Sequence, residues 1–480
     1  MKSPMVQVVA ADLGSSSGRI MLGAFDGESL ELSELHRFPI RAQEVGETIQ
    51  WDVPAIVAGV REGLDLAAGH GDVRSVAVDG WGVDHVALGA DGSPVAPVHA
   101  YRDPRTEAAP AQIAERIPTA ELWRSTGIQP QQINTSHQLF ALLRDHPEVR
   151  ERIERVVMLP DYVAHLLGGP VGWSRGICST TGLARPGAHE WSPEVMARLG
   201  IDPAWFGEIS HERTVIGELD GSNAVIIRAG SHDTACAVHS LGPQDEPRVF
   251  LSAGSWSLLG MEVDEPLLAD EVRRAGLTNE ARTDDGVRLL KNITGLWILQ
   301  ECQRQWSRGG QPVDVVGLVA DAAASRSLGV VFDPDHADFL LPGTMADRVR
   351  AHLRRHHGRE PADRGQLVRT VLESQAVAYA RYVEQLVAVT GIRPRYLVMA
   401  GGGARNRLLV EMTAAACRIP VVLGPAEASA LGSVLAQLEA LAQISGSSDV
   451  RALLAGMSPK TTVSPDDVRE LDYLAALARS

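Results

Sequence analysis

Apolar residues occur along this chain in short runs that end at glycine, serine or aspartate. Residues 6–11 form one such run, typical of a buried strand, and residues 20–25 form a second. Residues 12–18, between the two runs, are rich in glycine and serine and predict a turn. The chain is therefore predicted to open with a strand–turn–strand hairpin.

The same layout returns near the middle of the chain. Residues 249–252 and 258–263 read as strands, and Ala253-Gly254-Ser255-Trp256-Ser257 lies between them as a turn. Two similar hairpins indicate a duplicated architecture. The polar stretch 242–248 predicts a domain boundary, and 480 residues are too many for one hydrophobic core. We therefore expect two domains, 1–243 and 244–480.

Helical spacing appears between the predicted strands. Residues 51–68 predict a helix that Asp52 caps and that has Pro54 in its first turn. Residues 73–78 predict a strand that delivers Asp79 to a loop. Residues 110–143 predict helices broken at Pro118 and Pro130. A short strand (156–159), a helix (161–167) and a strand (224–227) follow.

The later part of the chain predicts a strand, a glycine loop and a helix. A long amphipathic helix over residues 367–390 ends at Gly391, and strand 396–399 follows. The loop GGGARN then leads into a helix over 407–417 and a strand over 421–423. Glycines here allow close approach of a nucleotide to the backbone. Asn406 departs from the G-x-G-x-x-G pattern, which disfavours a dinucleotide site.

Composition and charge narrow the function classes. The formal net charge is -15, which argues against a non-specific nucleic-acid binder. The first residues, MKSPMVQVVAADLG, lack the apolar core of a signal peptide, and no run reaches membrane-spanning length. We therefore expect a cytoplasmic protein that does not bind membranes.

The positions of the lysines, cysteines and two neighbouring histidines limit which kinds of site are expected. Glycine precedes none of the lysines, so a Walker A motif is absent, and any ATP site must be built in another way. The four cysteines lie far apart, and we expect them to be buried and reduced. His356 and His357 lie in an arginine-rich segment that we interpret as solvated surface without a role. The lysines are Lys2, Lys291 and Lys460, and the cysteines are Cys178, Cys236, Cys302 and Cys417.

The first turn contains Gly14-Ser15-Ser16-Ser17-Gly18, which matches the G-x-S-x-G pattern of a hydrolase nucleophile. That motif requires a helix directly after the serine, whereas a strand is predicted here. A turn that binds phosphate is the favoured interpretation. A serine hydrolase acting through Ser16 is the alternative, and labelling by a fluorophosphonate would reveal it.

Four acidic or glycine-rich loops follow predicted strands, at Asp12-Leu13-Gly14, Asp79-Gly80-Trp81-Gly82, His232-Asp233-Thr234 and Gly401-Gly402-Gly403. Carboxylates at strand ends suit phosphoryl transfer, because magnesium prefers oxygen ligands and the acceptor hydroxyl needs a base. Each loop also has a structural interpretation. Asp12 would cap its own turn, Trp81 would be packing, His232 would be a hydrogen-bonded structural residue, and the glycines would form only a tight turn.

Taken together, the motifs resemble the FGGY family of carbohydrate kinases. The motifs are DLGSSSGR, AVDGWGVD, AYRDPRT, SHDTA, LSAGSWSLLG, LKNITGLWILQ and GGGARN, and the resemblance covers residues 8–435. It implies an α/β, actin-like ATPase fold of the ribonuclease H-like and hexokinase type. In such a fold two duplicated domains surround a central cleft.

The resemblance also implies roles for individual residues. Asp233 would be the catalytic base, and Asp12, with Asp79 as a further candidate, would hold Mg2+ through water. The residues implied to bind ATP are Ser15, Ser16, Ser17, Gly18, Arg19, Ser255, Gln300 and Gly402. Those implied to bind the sugar are Gly82, His232, Asp233, Thr234 and Asn292.

The expected reaction is ATP-dependent phosphorylation of L-rhamnulose on its 1-hydroxyl. Three features depart from the usual family pattern: Ser255 in place of threonine, the loop DGWGVDH, and the stretch RGIC at 175–178. The last two keep another ketose, such as fuculose or xylulose, as an alternative substrate. An actin-like ATP-driven interaction protein is the alternative from another class. The expected partners are the sugar and ATP, in a monomer or a small homo-oligomer.

Overall fold

The computed structural model describes residues 5–308, 310, 313–457 and 461–479. The chain divides into two compact units. The first unit comprises Met1–Pro243, Glu262–Leu289 and Glu427–Pro459, and the second comprises Gln244–Met261, Leu290–Ala426 and Lys460–Ser480. The first long segment ends at Pro243, and two later segments return to the first unit. The division into domains 1–243 and 244–480 stays a prediction.

The described residues of both units form strands and helices. In chain order the strands are β1 (Val6–Leu13), β2 (Ser17–Phe25), β3 (Leu30–Pro39), β4 (Ala42–Val45), β5 (Thr48–Trp51), β6 (Val73–Gly80), β7 (His85–Leu88), β8 (Arg155–Met158), β9 (Trp173–Ser174), β10 (Ile209–Ser210), β11 (Thr214–Glu218), β12 (Val225–Arg228), β13 (Arg248–Ala253), β14 (Trp256–Val263), β15 (Thr278–Ala281), β16 (Val287–Thr294), β17 (Tyr396–Ala400), β18 (Val421–Leu423) and β19 (Thr462–Val463).

The helices connect these strands and cover the sheets. In chain order they are α1 (Val53–Ala68), α2 (Ala109–Arg116), α3 (Thr119–Thr126), α4 (Thr135–Asp145), α5 (Leu159–Leu166), α6 (Arg175–Cys178), α7 (Pro193–Leu199), α8 (Asp233–His239), α9 (Asp270–Arg274), α10 (Trp297–Ser307), α11 (Val315–Ala324), α12 (Met345–His357), α13 (Arg364–Thr390), α14 (Arg407–Cys417), α15 (Ala428–Ala440), α16 (Gly446–Met457) and α17 (Tyr473–Arg479).

The first hairpin lies within a six-stranded sheet whose order is β11-β12-β6-β1-β2-β3. Strands β1 and β2 pair antiparallel, as predicted, while β1 pairs parallel with β6 and β6 with β12. Strand β6 continues to Gly80, so Asp79 lies within a strand and not in a loop as predicted. The parallel pairing with β1 explains the extension, because it continues to the end of both strands, where Leu13 pairs with Gly80.

The second hairpin lies within a seven-stranded sheet whose order is β15-β16-β14-β13-β17-β18-β19. Strand β13 pairs antiparallel with β14 and parallel with β17, and β17 pairs parallel with β18. The register places Ser252 opposite Ala400 at the carboxyl ends of β13 and β17. The glycine loop after β17 therefore begins beside the turn of the second hairpin.

Several helix ends follow from local sequence chemistry. The Asp52 carboxylate accepts a hydrogen bond from the Ala55 backbone N–H and begins α1, as predicted. Gly391 ends α13 with a left-handed φ of 70°, a conformation that glycine adopts without strain. The Asn406 side chain caps α14, whose bounds are those predicted. Prolines 118 and 130 separate α2, α3 and α4.

The return of α15 to the first unit has an apolar cause. Leu431 and Val434 of α15 are buried in one cluster with Val8 and Ala10 of β1. Because the hydrophobic face of α15 packs on β1, the segment that contains α15 belongs to the first unit. More than 400 residues separate α15 from β1 in the chain.

Two further expectations concern cysteines and membranes. Cys178, Cys236 and Cys302 are buried, Cys417 is half-buried, and all four are free thiols. Among the described residues, no helix combines the length and the apolar character needed to span a bilayer.

Candidate active site

Three carboxylates lie at one edge of the six-stranded sheet. Asp12 and Asp79 are direct register partners at the carboxyl ends of β1 and β6. Gly80 forms a parallel bridge with His232, and its N–H donates to the Ser231 carbonyl at 3.2 Å. Asp233 therefore follows at the same edge. We call Asp12, Asp79 and Asp233 the carboxylate row, and the sequence had placed all three in candidate loops.

Asp12 is buried and is neutralised by a neighbouring cation. Arg19, its register partner across the hairpin, forms an ion pair with Asp12 and a second one with Glu427. Burial raises the pKa of Asp12, and the Arg19 guanidinium opposes that rise. Arg19, implied by the family resemblance to bind ATP, is thus held by two carboxylates of its own unit. Glu427 was missed because it is 408 positions away in the chain.

Asp79 is the most isolated member of the carboxylate row. Both of its oxygens are buried and form no hydrogen bond within the described residues. Burial, followed by the charges of Asp12 and Asp233, raises its pKa well above the ordinary value. The nearby Ser433 hydroxyl, which has no hydrogen-bond partner within the described residues, partly offsets that rise. A buried carboxylate without a partner is unfavourable unless another group binds it.

Asp233 is the first residue of α8, and its side chain is 30% exposed. The Thr234 hydroxyl donates a hydrogen bond to its Oδ1 at 3.0 Å. Burial, and after it the charge of Asp12, raises the pKa of Asp233 to about 7. A carboxyl that titrates near neutral pH and keeps access to solvent can accept a proton from a bound hydroxyl.

His232 connects Asp233 to a buried charged pair. Arg288 donates a hydrogen bond to His232 Nδ1 at 3.0 Å, and Arg288 lies 3.2 Å from the Glu280 carboxylate. Because arginine stays protonated, Nδ1 is an acceptor and the proton of the neutral ring lies on Nε2. His232 Nε2 is 3.5 Å from Asp233 Oδ1. The ring is therefore both a structural residue and a support for Asp233.

Burial, then the Arg288 charge, lowers the pKa of His232 well below its ordinary value, so the ring is neutral at pH 7. Arg288 and Glu280 were not predicted from the sequence, because they lie 56 and 48 positions from His232. Glu280 and Arg288 lie in strands β15 and β16, outside any recognised motif. Only the fold brings them close to the His232 ring.

The loop after Asp79 is organised by a fourth carboxylate. Asp84 Oδ2 accepts hydrogen bonds from the indole N–H groups of Trp51 at 2.6 Å and Trp81 at 2.7 Å, and Gln138 donates to Oδ1 at 2.9 Å. Burial raises the pKa of Asp84 to about 6, and these donors oppose the rise. Trp81 is therefore packed and hydrogen-bonded, which agrees with its structural interpretation.

Gly82 lies against Thr180 in the same loop. A Cβ atom at Gly82 would come within 2.9 Å of the Thr180 hydroxyl oxygen. Val83, the next residue, has a left-handed φ of 70°, which is rare for a β-branched residue. Hydrogen bonds hold it there: its N–H donates to Thr180 and its carbonyl accepts from Thr135. The loop thus keeps one strained conformation beside the carboxylate row.

The first glycine and serine turn is a tight hairpin connection. The Gly14 N–H donates to the Ser17 carbonyl at 3.1 Å, and β2 begins at Ser17, where a nucleophile motif would require a helix. The hydroxyls of Ser15, Ser16 and Ser17 have no hydrogen-bond partner among the described residues. Packing explains why residue 18 is glycine, because a Cβ atom there would lie 2.2 Å from the Phe38 ring.

The second unit brings three of its predicted residues to one sheet edge. The Ser255 hydroxyl donates to Gln300 Oε1 at 2.8 Å. A Cβ at Gly403 would lie 2.5 Å from the Ala253 Cβ, so the glycine loop packs against the end of β13. Gly402 is exposed, and a Cβ there would meet no atom within 4 Å. Asn292 lies half-buried on β16, on the other side of the hairpin.

The stretch RGIC, which departs from the family pattern, is the short helix α6 and is fully buried. The Arg175 guanidinium donates to backbone carbonyls of the β15–β16 turn, including that of Asp285 at 3.0 Å, and to the Gly187 carbonyl at 2.8 Å. Arg175 therefore holds a neighbouring turn of the first unit in place.

Comparison with known proteins defines the class. Solved structures with the same fold include a gluconate kinase from Lactobacillus acidophilus, with a TM-score of 0.79, 14% identity and coverage of 99% of this chain and 97% of that one. A glycerol kinase from Plasmodium falciparum has a TM-score of 0.76, 15% identity and coverage of 99% and 98%. The fold is that of the actin-like sugar kinases, as predicted.

Sequence matches define the family. The model of the FGGY carbohydrate kinases' N-terminal domain matches residues 7–238, and the C-terminal domain model matches residues 249–441. The chain is 35% identical to the rhamnulokinase of Bacteroides thetaiotaomicron, over 96% of both chains. It is 34% identical to the rhamnulokinase of Enterobacter sp. (strain 638), over 96% of this chain and 95% of that one. This chain belongs to the FGGY family of carbohydrate kinases and is a sugar phosphotransferase that uses ATP.

Proposed function

We propose that this kinase transfers the γ-phosphoryl group of ATP to the 1-hydroxyl of L-rhamnulose, giving L-rhamnulose 1-phosphate and ADP. The carboxylate row is the observation that carries the chemistry, because it holds a carboxyl that titrates near pH 7 beside two others. The two rhamnulokinase relatives, matched over nearly their full length, support the choice of sugar.

Asp233 is the proposed base. Its carboxylate accepts the proton of the 1-hydroxyl while that oxygen forms a bond to the γ-phosphorus. The bond from the γ-phosphorus to the bridging oxygen of ADP breaks in line with it. His232 and Thr234 hold the Asp233 carboxylate, by the 3.5 Å approach of Nε2 and the 3.0 Å hydrogen bond. Gly82, His232, Thr234 and Asn292 are the proposed sugar contacts.

Asp79 and Asp12 are the proposed holders of Mg2+. The two buried oxygens of Asp79 lack a hydrogen-bond partner within the described residues, and such oxygens are the ligands that magnesium prefers. The donor set therefore fits the ion, with water completing the contacts. When bound, Mg2+ neutralises charge on the phosphates during transfer.

The glycine and serine turns are the proposed phosphate contacts. Backbone N–H groups and hydroxyls of Ser15, Ser16, Ser17 and Gly18, together with the Arg19 guanidinium, would bind ATP oxygens in the first unit. Ser255, Gln300 and Gly402 are the corresponding proposal for the second unit. Gly402 supports this assignment because its exposed backbone leaves room for a ligand.

A ketose panel tests the substrate assignment. ADP release would be followed in a coupled assay with L-rhamnulose, L-fuculose and D-xylulose, and with no sugar as the control. We expect the highest kcat/KM on L-rhamnulose and only a trace of ADP without sugar. A higher kcat/KM on another ketose would replace the substrate. ADP release that is independent of sugar would favour the ATP-driven interaction protein.

A further inference from the structure

A group of histidines lies in the second unit, in a segment that the sequence analysis had assigned to solvated surface. His352 and His356 are four residues apart on α12, so they share one face of the helix. His336 and Asp338 belong to the short 3-10 turn that packs on this helix. One ligating atom from each of the four residues lies within 4.8 Å of all the others.

Two separations within this histidine cluster are close to those of a tetrahedral metal site. Asp338 Oδ2 is 2.9 Å from His352 Nδ1 and 3.6 Å from His336 Nδ1. His336 Nδ1 accepts a hydrogen bond from the Asp338 backbone N–H at 3.1 Å, so His336 would bind an ion through Nε2 or give up that hydrogen bond. Ligands about 2.0–2.1 Å from a tetrahedral zinc ion are about 3.3 Å from one another. These two separations lie on either side of that value, and all four ligating atoms lie within 4.8 Å of one another. An ion would therefore draw the side chains together.

The rings converge and are well supported. The ring centroids of His352 and His356 are 4.3 Å apart, and those of His336 and His352 are 4.6 Å apart. His352 is only 5% exposed and packs on Phe332 and Phe339, which belong to a buried apolar cluster. His356 is exposed, which leaves a path for an ion from solvent. Buried support on one side and access on the other are what a metal site requires.

The histidine cluster must be weighed against a simple hydrogen-bonded patch and against a second group of possible ligands. Arg355 Nη1 lies 3.5 Å from Asp338 Oδ2 and competes for that carboxylate, but its side chain is 61% exposed and can turn away. A second group, His189, His211 and Asp285, is exposed throughout and has one ligand fewer. The histidine cluster on α12 is therefore the stronger of these two candidates.

We propose that His336, Asp338, His352 and His356 form a site for a divalent transition-metal ion, with Zn2+ as the best fit. Three imidazole nitrogens and one carboxylate oxygen are a zinc-type donor set. For His352 to bind through Nδ1, its proton moves to Nε2 and the ion takes the place of the hydrogen bond to Asp338. The ion would join the 3-10 turn to α12 and stabilise this part of the second unit. This site is independent of the phosphoryl-transfer chemistry.

The test measures metal binding directly. Full-length protein without an affinity tag is freed of metal with a chelator, then titrated with ZnCl2 by calorimetry in the absence of nucleotide. We expect one high-affinity ion per chain and a higher Tm with Zn2+. Co2+ is expected to give the visible absorption of a tetrahedral site. His356→Ala is the first variant because its exposed side chain contributes little to the core.

Matched variants separate this site from other histidines. His356→Ala is expected to weaken Zn2+ binding by more than about 100-fold. His357→Ala, next to it and outside the cluster, and His189→Ala, in the exposed second group, are expected to bind like the unmodified protein. The proposal is overturned if the unmodified protein binds no Zn2+, if His356→Ala binds as tightly as His357→Ala, or if His189→Ala abolishes binding.

Discussion

The edge of the first sheet and the edge of the second sheet have the same design but different chemistry. In both, a hairpin (β1–β2 or β13–β14) is followed by two parallel neighbours (β6 and β12, or β17 and β18). The register pairs Asp12 with Asp79 in the first sheet, and Ser252 with Ala400 in the second. Where one sheet has two carboxylates, the other has a hydroxyl and a methyl group.

A kinase needs groups that react with the acceptor hydroxyl and a surface that binds phosphate, and the two sheet edges differ in the way these two tasks require. The first sheet gathers negative charge at a buried edge. Burial, and after it the charge of Asp12, raises the pKa of Asp233 there. The second sheet keeps its edge neutral and uses glycine, so that a ligand can approach the backbone closely. In our proposal, one topology thus supplies the reactive groups in the first sheet and a phosphate contact in the second.

The largest expected effect follows from removing the proposed base. Asp233→Asn retains the shape of the side chain but cannot accept a proton. We expect kcat on L-rhamnulose to fall by about 10²–10⁴ while ATP still binds. Asp72→Asn, which changes an exposed carboxylate in the same unit, is the control and should retain full activity. Near-normal turnover by Asp233→Asn would remove this residue from the mechanism.

The pH profile tests the raised pKa of Asp233. The base acts when deprotonated, so kcat/KM is expected to fall below pH of about 7, by about tenfold per unit. The hydrogen bond from Thr234 lowers the pKa of Asp233, so Thr234→Val should shift this limb to higher pH. The measurement is kcat/KM from pH 5.5 to 9, with circular dichroism to confirm folding. A flat profile would contradict the assignment.

A smaller effect is expected at the neutral edge. Gly402→Ala adds a methyl group that meets no protein atom, so Tm should not change. If ATP lies against this backbone, KM for ATP rises by about threefold to tenfold, which corresponds to ~1 kcal/mol. Gly456→Ala, at another glycine with open space, is the control. An unchanged KM for ATP in Gly402→Ala would remove the loop from the ATP site.

Sequence alone predicted the elements whose signals are local. The two hairpins, the Asp52 cap of α1, the prolines that separate α2 to α4, and the bounds of α14 all depend on residues within a few positions of each other. The same holds for the candidate loops. Asp12, Asp79 and Asp233 were singled out because each follows an apolar run, and parallel pairing then brings their strand ends together.

What sequence could not predict depends on contacts between distant segments. Glu427 reaches Arg19, and Arg288 reaches His232, through folding alone. The burial that raises the pKa of Asp79 comes from the packed sheet, and no motif encodes it. His356 was interpreted as solvated surface because its neighbours in the chain are arginines, whereas its neighbours in space are His336 and His352.

The two sheet edges differ most at Asp79, whose carboxylate oxygens lack a hydrogen-bond partner within the described residues. A carboxyl with a raised pKa in the folded state lowers stability as pH rises above the unfolded value of about 4. Asp79→Asn removes that loss. The most direct test is therefore Tm of Asp79→Asn and of the unmodified protein at pH 5 and pH 8, without Mg2+ or nucleotide.

We predict that Asp79→Asn melts higher than the unmodified protein at pH 8, by about 2–4 °C for each ~1 kcal/mol relieved, and that this advantage shrinks at pH 5. Asp72→Asn should show no such pH-dependent gain. A lower Tm for Asp79→Asn at pH 8 would mean that the carboxylate stabilises the fold. That result would contradict the proposal that the Asp79 carboxylate lowers stability on its own and serves to bind a ligand.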